Sequence, residues 1–187
     1  TQWADYTHAC DLIETFDHDD ATEAEQIFLS LGAFEDAQEK AVFCRNSLDY
    51  EAAEDLVASG DYAGAEAAFE ALGTFSDAAD RARFCSDTQA YQAACILMEQ
   101  GDYAGAAEKF AAPAESGFED AADQLTYCGN MVAYQNAEAA LADGKNYEAY
   151  RAFIDLGVFE DAYDRAKACA LEEPKSGEIY HNENYKS

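Results

Sequence analysis

The sequence predicts an all-α chain built as a stack of helical hairpins. Three observations carry this. A signature of Phe, then Asp-Ala, then Cys occurs four times: Phe34, Asp36, Ala37 and Cys44; Phe75, Asp77, Ala78 and Cys85; Phe118, Asp120, Ala121 and Cys128; Phe159, Asp161, Ala162 and Cys169. The Cys and the Phe positions both step by 41, 43 and 41 residues. Self-similarity at a period of 20–50 residues is the mark of a stacked repeat array. Apolar residues between the signatures recur at helical spacing. Proline, which breaks helix interiors, occurs only at Pro113 and Pro174. Repeat arrays bury a long, thin core between neighbouring units, so the 187 residues are read as one array and not as two globular domains.

In chain order, Trp3 to Phe16 reads as the first helix, with Trp3, Tyr6, Cys10 and Ile13 on one face. Asp20 and Glu23 form a capping-box pattern, which places the start of the second helix near Ala21. That helix carries Ala24, Ile27, Phe28 and Leu31 and stops at Gly32. After the first signature the helical pattern runs through Cys44 to Ser59. Asn46-Ser47 is a potential break, and one long helix with a kink there is the favoured reading. Gly60 terminates it and Asp61 caps the next, short helix, which carries Ala65, Ala68, Phe69 and Leu72 and closes at Gly73. Residues 101–106 repeat residues 60–65 letter for letter, and Phe110 follows where Phe69 stood. Two extra residues around Pro113 are expected to lengthen the loop before Gly117. The fourth copy changes the turn to Gly144-Lys145-Asn146-Tyr147 and keeps Ala149, Phe153, Leu156 and Gly157. The expected organisation is an array over 1–171, in units of about 3–33, 34–74, 75–117 and 118–158 with a capping helix at 159–172. Residues 173–187 read as a linker or tail, and Ile179, Tyr180 and Tyr185 are compatible with the first strand of a following domain. A chain that opens on Thr1 points to a leader, anchor or domain upstream.

The pattern Gly-Asp-Tyr-x-x-Ala-x-x-x-Phe-x-x-Leu-Gly-x-Phe-x-Asp-Ala, over Gly60 to Ala78, resembles the tetratricopeptide repeat. It is most similar to the divergent variety of Gram-positive bacteria that ends each unit with a Cys. Tyr62, Ala65 and Phe69 match the family's turn and second helix, as do Tyr103, Ala106 and Phe110. Ala24 with Phe28 and Ala149 with Phe153 match in the outer units. The resemblance implies hairpins stacked in a right-handed superhelical solenoid, with a concave face that takes peptides. The units here are longer than the family's 34 residues, the Trp-Leu-Gly-Tyr face of its first helix is not reproduced, and Gly replaces its terminal Pro. The basic carboxylate clamp of some members does not transfer to a chain so poor in Lys and Arg.

Composition narrows the function. There are 39 acidic and 11 basic residues, for a net charge of −28. Phosphate binding needs a basic footprint, so nucleic acid is a poor partner; a protein or peptide partner is expected, and a basic one fits the charge. No apolar run reaches the roughly 20 residues that span a bilayer. Asp36 with Lys40, Asp77 with Arg81 and Asp161 with Arg165 are spaced as i, i+4 helix pairs, and Gln124 stands in for the base beside Asp120. The six cysteines show no Cys-x-x-Cys pair. Cys44, Cys85, Cys128 and Cys169 read as small buried residues, and unpaired thiols favour a reducing compartment; a tethered or exported chain is the alternative. Phe28, Phe69, Phe110 and Phe153 read as core, and Phe34, Phe75, Phe118 and Phe159 as repeat positions. Tyr150 and Tyr163 break the pattern and are candidates for partner contact. His18, among Asp17, Asp19 and Asp20, lacks the rest of a calcium loop. No phosphate loop or nucleophile motif occurs. A non-enzymatic interaction or scaffold module of a larger bacterial protein, without cofactor, is expected. The alternatives are an acidic spacer and a Ca²⁺-stabilised surface domain.

Overall fold

The computed structural model describes residues 1–15 and 17–171. The described residues form nine α-helices and no strand: α1 (Gln2–Thr15), α2 (His18–Leu31), α3 (Ala37–Ser59), α4 (Tyr62–Leu72), α5 (Ala78–Glu99), α6 (Tyr103–Ser116), α7 (Ala121–Ala142), α8 (Asn146–Leu156) and α9 (Ala162–Leu171). They group into two compact units, Thr1–Gln92 and Ala93 onward, with the division inside α5. In the first unit α1 packs on α2, α2 on α3 and α3 on α4. In the second α6 packs on α7, α7 on α8 and α8 on α9. The tail expected at 173–187 lies outside the described residues.

From α2 to α8 shorter and longer helices alternate because the turns recur. Asp61 and Asp102 cap α4 and α6 by accepting the backbone N–H of Gly64 (3.0 Å) and Gly105 (2.9 Å). The signature itself is a compact turn. Its Phe donates a backbone bond back to the short helix and accepts one from the Ala that opens the long helix. Phe75 N–H thus reaches Leu72 O at 3.1 Å, and Ala78 N–H reaches Phe75 O at 3.0 Å. In all four copies the residue between Phe and Asp sits in the left-handed region: Glu35, Ser76, Glu119 and Glu160, with φ of 48 to 51°.

Three expectations about local structure are corrected. Helix α2 starts at His18, not near Ala21, because Asp17 is extended (φ −82°, ψ 145°) and caps it by accepting Asp19 N–H at 3.0 Å. The insertion in the third copy lengthens helix α6 to 14 residues and not the loop, with Pro113 fully buried inside it. The helix then ends on Gly117 in the left-handed conformation (φ 73°, ψ 27°), and Phe118 N–H bonds Pro113 O at 2.9 Å. Two of the three i, i+4 ion pairs are routed elsewhere, as described below. The segment after Cys44, Cys85 and Cys128 continues the helix: α3, α5 and α7 run unbroken for 23, 22 and 22 residues. Ser47 stays helical by donating its hydroxyl to Phe43 O at 2.9 Å, and Thr88 does the same to Phe84 O at 2.7 Å.

The core is a chain of small clusters. Phe28, Phe69, Phe110 and Phe153 have no exposed surface. Each is worth about 1.5–3 kcal/mol in burial relative to exposure. Alanines let the helix backbones close on these rings. Ala24, Ala37 and Ala41 flank Phe28, Ala65 and Ala78 flank Phe69, and Ala149 and Ala162 flank Phe153. Cys44, Cys85 and Cys128 are at most 1% exposed and act as small apolar residues. Burial pushes their thiols above the usual range, which keeps them neutral.

Candidate functional site

At three of the four signatures a tyrosine ties the core to the turn. Tyr6, Tyr50 and Tyr134 pack edge-on to Phe28, Phe69 and Phe153, with ring centroids 5.8, 5.2 and 5.4 Å apart. Their hydroxyls donate to Asp36, Asp77 and Asp161, at 2.6 Å for Tyr50 to Asp77. The bond from Tyr50 holds Asp77 below the usual carboxylate range, and that from Tyr6 does the same for Asp36. Tyr50 is pushed up to about 12 by burial and by its bond to Asp77. Tyr134 is pushed up to about 12 by its bond to Asp161 and by burial.

With these carboxylates occupied, the arginines reach back to the preceding long helix. Arg81 forks onto Glu54 and Arg165 onto Glu138, each with a 2.6 Å bond from Nε, and the guanidinium groups lie over Phe69 (5.7 Å) and Phe153 (5.9 Å). The expected Asp77–Arg81 and Asp161–Arg165 pairs are therefore replaced by cross-helix ones. Lys40 stays beside Asp36 at 3.7 Å, and Gln124 donates to Asp120 at 2.9 Å.

A second set of rings lies alongside. Trp3 packs on Phe34, Phe43 on Phe75 and Tyr127 on Phe159, at 5.2, 5.8 and 5.5 Å. In the first unit this set borders a cleft of about 590 Å³ between the start of α2, the middle of α3 and the turn before α5. That volume is within the range of small-ligand and side-chain pockets. Ala21, Phe43, Leu48, Tyr50 and Phe75 give it an apolar lining. Asp17, His18, Ser47, Glu51, Glu54 and Ser76 complete the lining. His18 Nδ1 lies 2.7 Å from Glu51 Oε2, and this contact raises the imidazole above its ordinary pKa. The carboxylates of Asp17 and Glu54 are engaged, by Asp19 N–H and by Arg81. A hollow of about 250 Å³ between α3 and α4 is much smaller.

Of the residues singled out in the sequence, Phe75, His18 and Asp17 line the cleft. Phe34, Phe118 and Phe159 are half-buried at the equivalent turns. Cys169 is 5% exposed, in the third core cluster. Tyr150 is half-buried against that same cluster. Tyr163 is 54% exposed, with Lys167 Nζ 4.1 Å from its ring centre. Neither tyrosine lines the cleft. Among the described residues no group of three or more His, Cys, Asp or Glu is arranged to hold a metal ion, and no helix is long and apolar enough to cross a membrane. Sequence reasoning missed the Tyr–Asp bond, whose signal is a Tyr 27 to 30 residues before each of Asp36, Asp77 and Asp161.

Comparison with family models, with curated proteins and with solved structures returned no match.

Proposed function

We propose that this chain is a non-enzymatic protein-binding module: tetratricopeptide-like hairpins in a right-handed superhelix, serving as an adaptor or scaffold within a larger bacterial protein. The observation that carries the reading is the cleft of about 590 Å³, lined by apolar side chains together with several acidic ones, beside core clusters of alanine and phenylalanine. A spacer has no need of an apolar hollow flanked by a 41% exposed phenylalanine, Phe43. The recurring Ala and Phe positions of the short helices, and their Asp-capped turns, support the tetratricopeptide-like assignment.

The test is affinity capture from the lysate of the source organism on the immobilised chain, at low and high salt, in parallel with Leu48→Arg. A specific partner lost with Leu48→Arg is the expected result. Loss at high salt adds that the acidic surface takes part in recognition. Capture of nothing above background at either salt would replace the adaptor reading by that of an acidic spacer.

A further inference from the structure

The chain shows how it satisfies glutamates that lie between its helices. Arg81 forks onto Glu54, and its guanidinium lies over Phe69 (5.7 Å) and Phe84 (5.2 Å). Arg165 forks onto Glu138 and lies over Phe153 (5.9 Å). Arg45 donates to Glu25 from Nε at 2.7 Å. Each of these pairs crosses from one helix to another. Glu51 stands one turn before Glu54 on α3 and lines the first-unit cleft, but it is held by His18 Nδ1 at 2.7 Å. A guanidinium keeps its charge throughout the physiological range, whereas an imidazole is a cation only while protonated. The cleft thus presents the acid of a recurring Arg–Glu pair on a base that can release it.

The surroundings select the same chemistry. Ala21, Leu48 and Phe75 line the cleft together with Glu51, and such an apolar track suits the methylenes of a long basic side chain. Glu51 is 54% exposed, so an incoming group can reach it. The groups that face His18 are acidic: Glu51 from α3, and Asp17 and Asp19 from its own turn. Towards α1, His8 is placed against Glu23, further along α2. Glu54 is engaged by Arg81. A basic side chain is attracted to this field and an acidic one is repelled. With about 590 Å³ the cleft admits a short stretch of chain, so apolar neighbours of the base are buried with it.

Resting on the reading of the chain as a protein-binding module, we propose that the first-unit cleft receives an arginine of a partner segment, whose guanidinium takes Glu51 in exchange for His18. The exchange couples binding to a proton. The charged imidazole competes for Glu51, and the neutral one has no charge to hold it there. Glu51 raises the imidazole above its ordinary value of 6.5, so the competition extends above that pH. Arginine binding therefore strengthens as the pH rises through the His18 midpoint. By reciprocity, a bound arginine lowers that midpoint.

The test is a titration of the ¹⁵N-labelled chain with two blocked peptides, Leu-Arg-Leu and Leu-citrulline-Leu, which differ in charge and hardly in shape. At about pH 8 the arginine peptide should bind about tenfold tighter than the citrulline one and move the amides of Ala21, Leu48 and Phe75. It should also lower the His18 midpoint in the proton spectrum, and at about pH 5.5 its affinity should fall about threefold or more. Glu51→Gln, at an exposed position, should bring the arginine peptide down to the level of the citrulline peptide. His18→Gln removes the competitor, and should keep the arginine peptide at about pH 5.5 within about twofold of its affinity at about pH 8. Equal affinity for the two peptides, shifts confined to other surfaces, an unmoved His18 midpoint, or a His18→Gln chain with the pH dependence of the parent would each overturn the proposal. If neither peptide binds while Leu48→Arg still abolishes capture from lysate, the arginine assignment alone is wrong. If capture fails as well, the module reading falls with it.

Discussion

Substituting Gly73 separates backbone strain from every other contribution at the repeat turn. Gly73 links α4 to α5 with φ 59° and ψ −110°, and Gly32 and Gly157 adopt nearly the same angles at the equivalent turns. A Cβ built on Gly73 meets no atom within 4 Å, so Gly73→Ala adds no clash outside the backbone itself. Holding an L-residue in such a glycine-type region costs about 1–3 kcal/mol. Alanine also stiffens the unfolded chain, which returns about 0.4–1 kcal/mol. The net expectation is a loss of about 1–2 kcal/mol. Gly60 is the internal control. It too has an open Cβ position, but at φ 83°, ψ 8° it lies in the left-handed helical region that asparagine also visits. Gly60→Asn should therefore cost only about 0.5 kcal/mol or less, while Gly73→Asn should cost as much as Gly73→Ala. Urea unfolding followed by circular dichroism measures all three variants, with the slope m checking that the denatured states are comparable. Gly73→Ala within about 0.5 kcal/mol of the parent at unchanged m, or asparagine tolerated equally at both sites, would refute the strain argument.

Two further outcomes follow from the electrostatics. A double-mutant cycle on Glu54→Gln and Arg81→Met should give a coupling of about 0.5–1 kcal/mol, since the pair is a two-pronged fork only partly exposed to solvent. The parallel cycle of Asp77→Asn with Arg81→Met should give clearly less, and a larger value there would return the arginine to its own helix. His18 should titrate above its ordinary value of 6.5 in a proton NMR titration, and Glu51→Gln should bring the midpoint down. Because the folded imidazole is the more basic one, its stabilising share is complete below the ordinary value. It is lost as the pH rises from about 6.5 through the raised midpoint. A midpoint at or below 6.5 in the parent would sever the His18–Glu51 contact.

The helices were legible because the repeat reports them four times over. Phe28, Phe69, Phe110 and Phe153 could be placed in the core from spacing alone, since only a buried helical face demands one ring per unit at that position. What stayed hidden was the choice among partners. Asp77 and Arg81 are spaced for a helix ion pair, but spacing along one helix says nothing of the Tyr50 hydroxyl or the Glu54 carboxylate arriving from another. The lengthened α6 was missed for a related reason. Pro113 reads locally as a breaker, yet its buried ring packs while Ser116 and Gly117 satisfy the carbonyls at the helix end. The cleft was hidden because its lining comes from the start of α2, the middle of α3 and the turn before α5, which are brought together only by the packing of the helices.

The routing of the bases follows a rule that runs through the sequence. Four residues after Tyr6, Tyr50, Tyr91 and Tyr134 stand Cys10, Glu54, Cys95 and Glu138, and four residues after the signature Asp stand Lys40, Arg81, Gln124 and Arg165. Where the preceding helix offers Glu, the following helix supplies Arg and the pair crosses between helices. Where it offers Cys, the following residue is Lys or Gln and remains on its own Asp. Arginine and glutamate are thus used together, which is what a forked ion pair requires, since either alone would leave a half-buried charge without its partner. The alternation sets a clamp at every second junction. In the first unit that clamp, Glu54 with Arg81, engages one of the acids that line the cleft, while Glu51 on the same helix pairs with His18 instead.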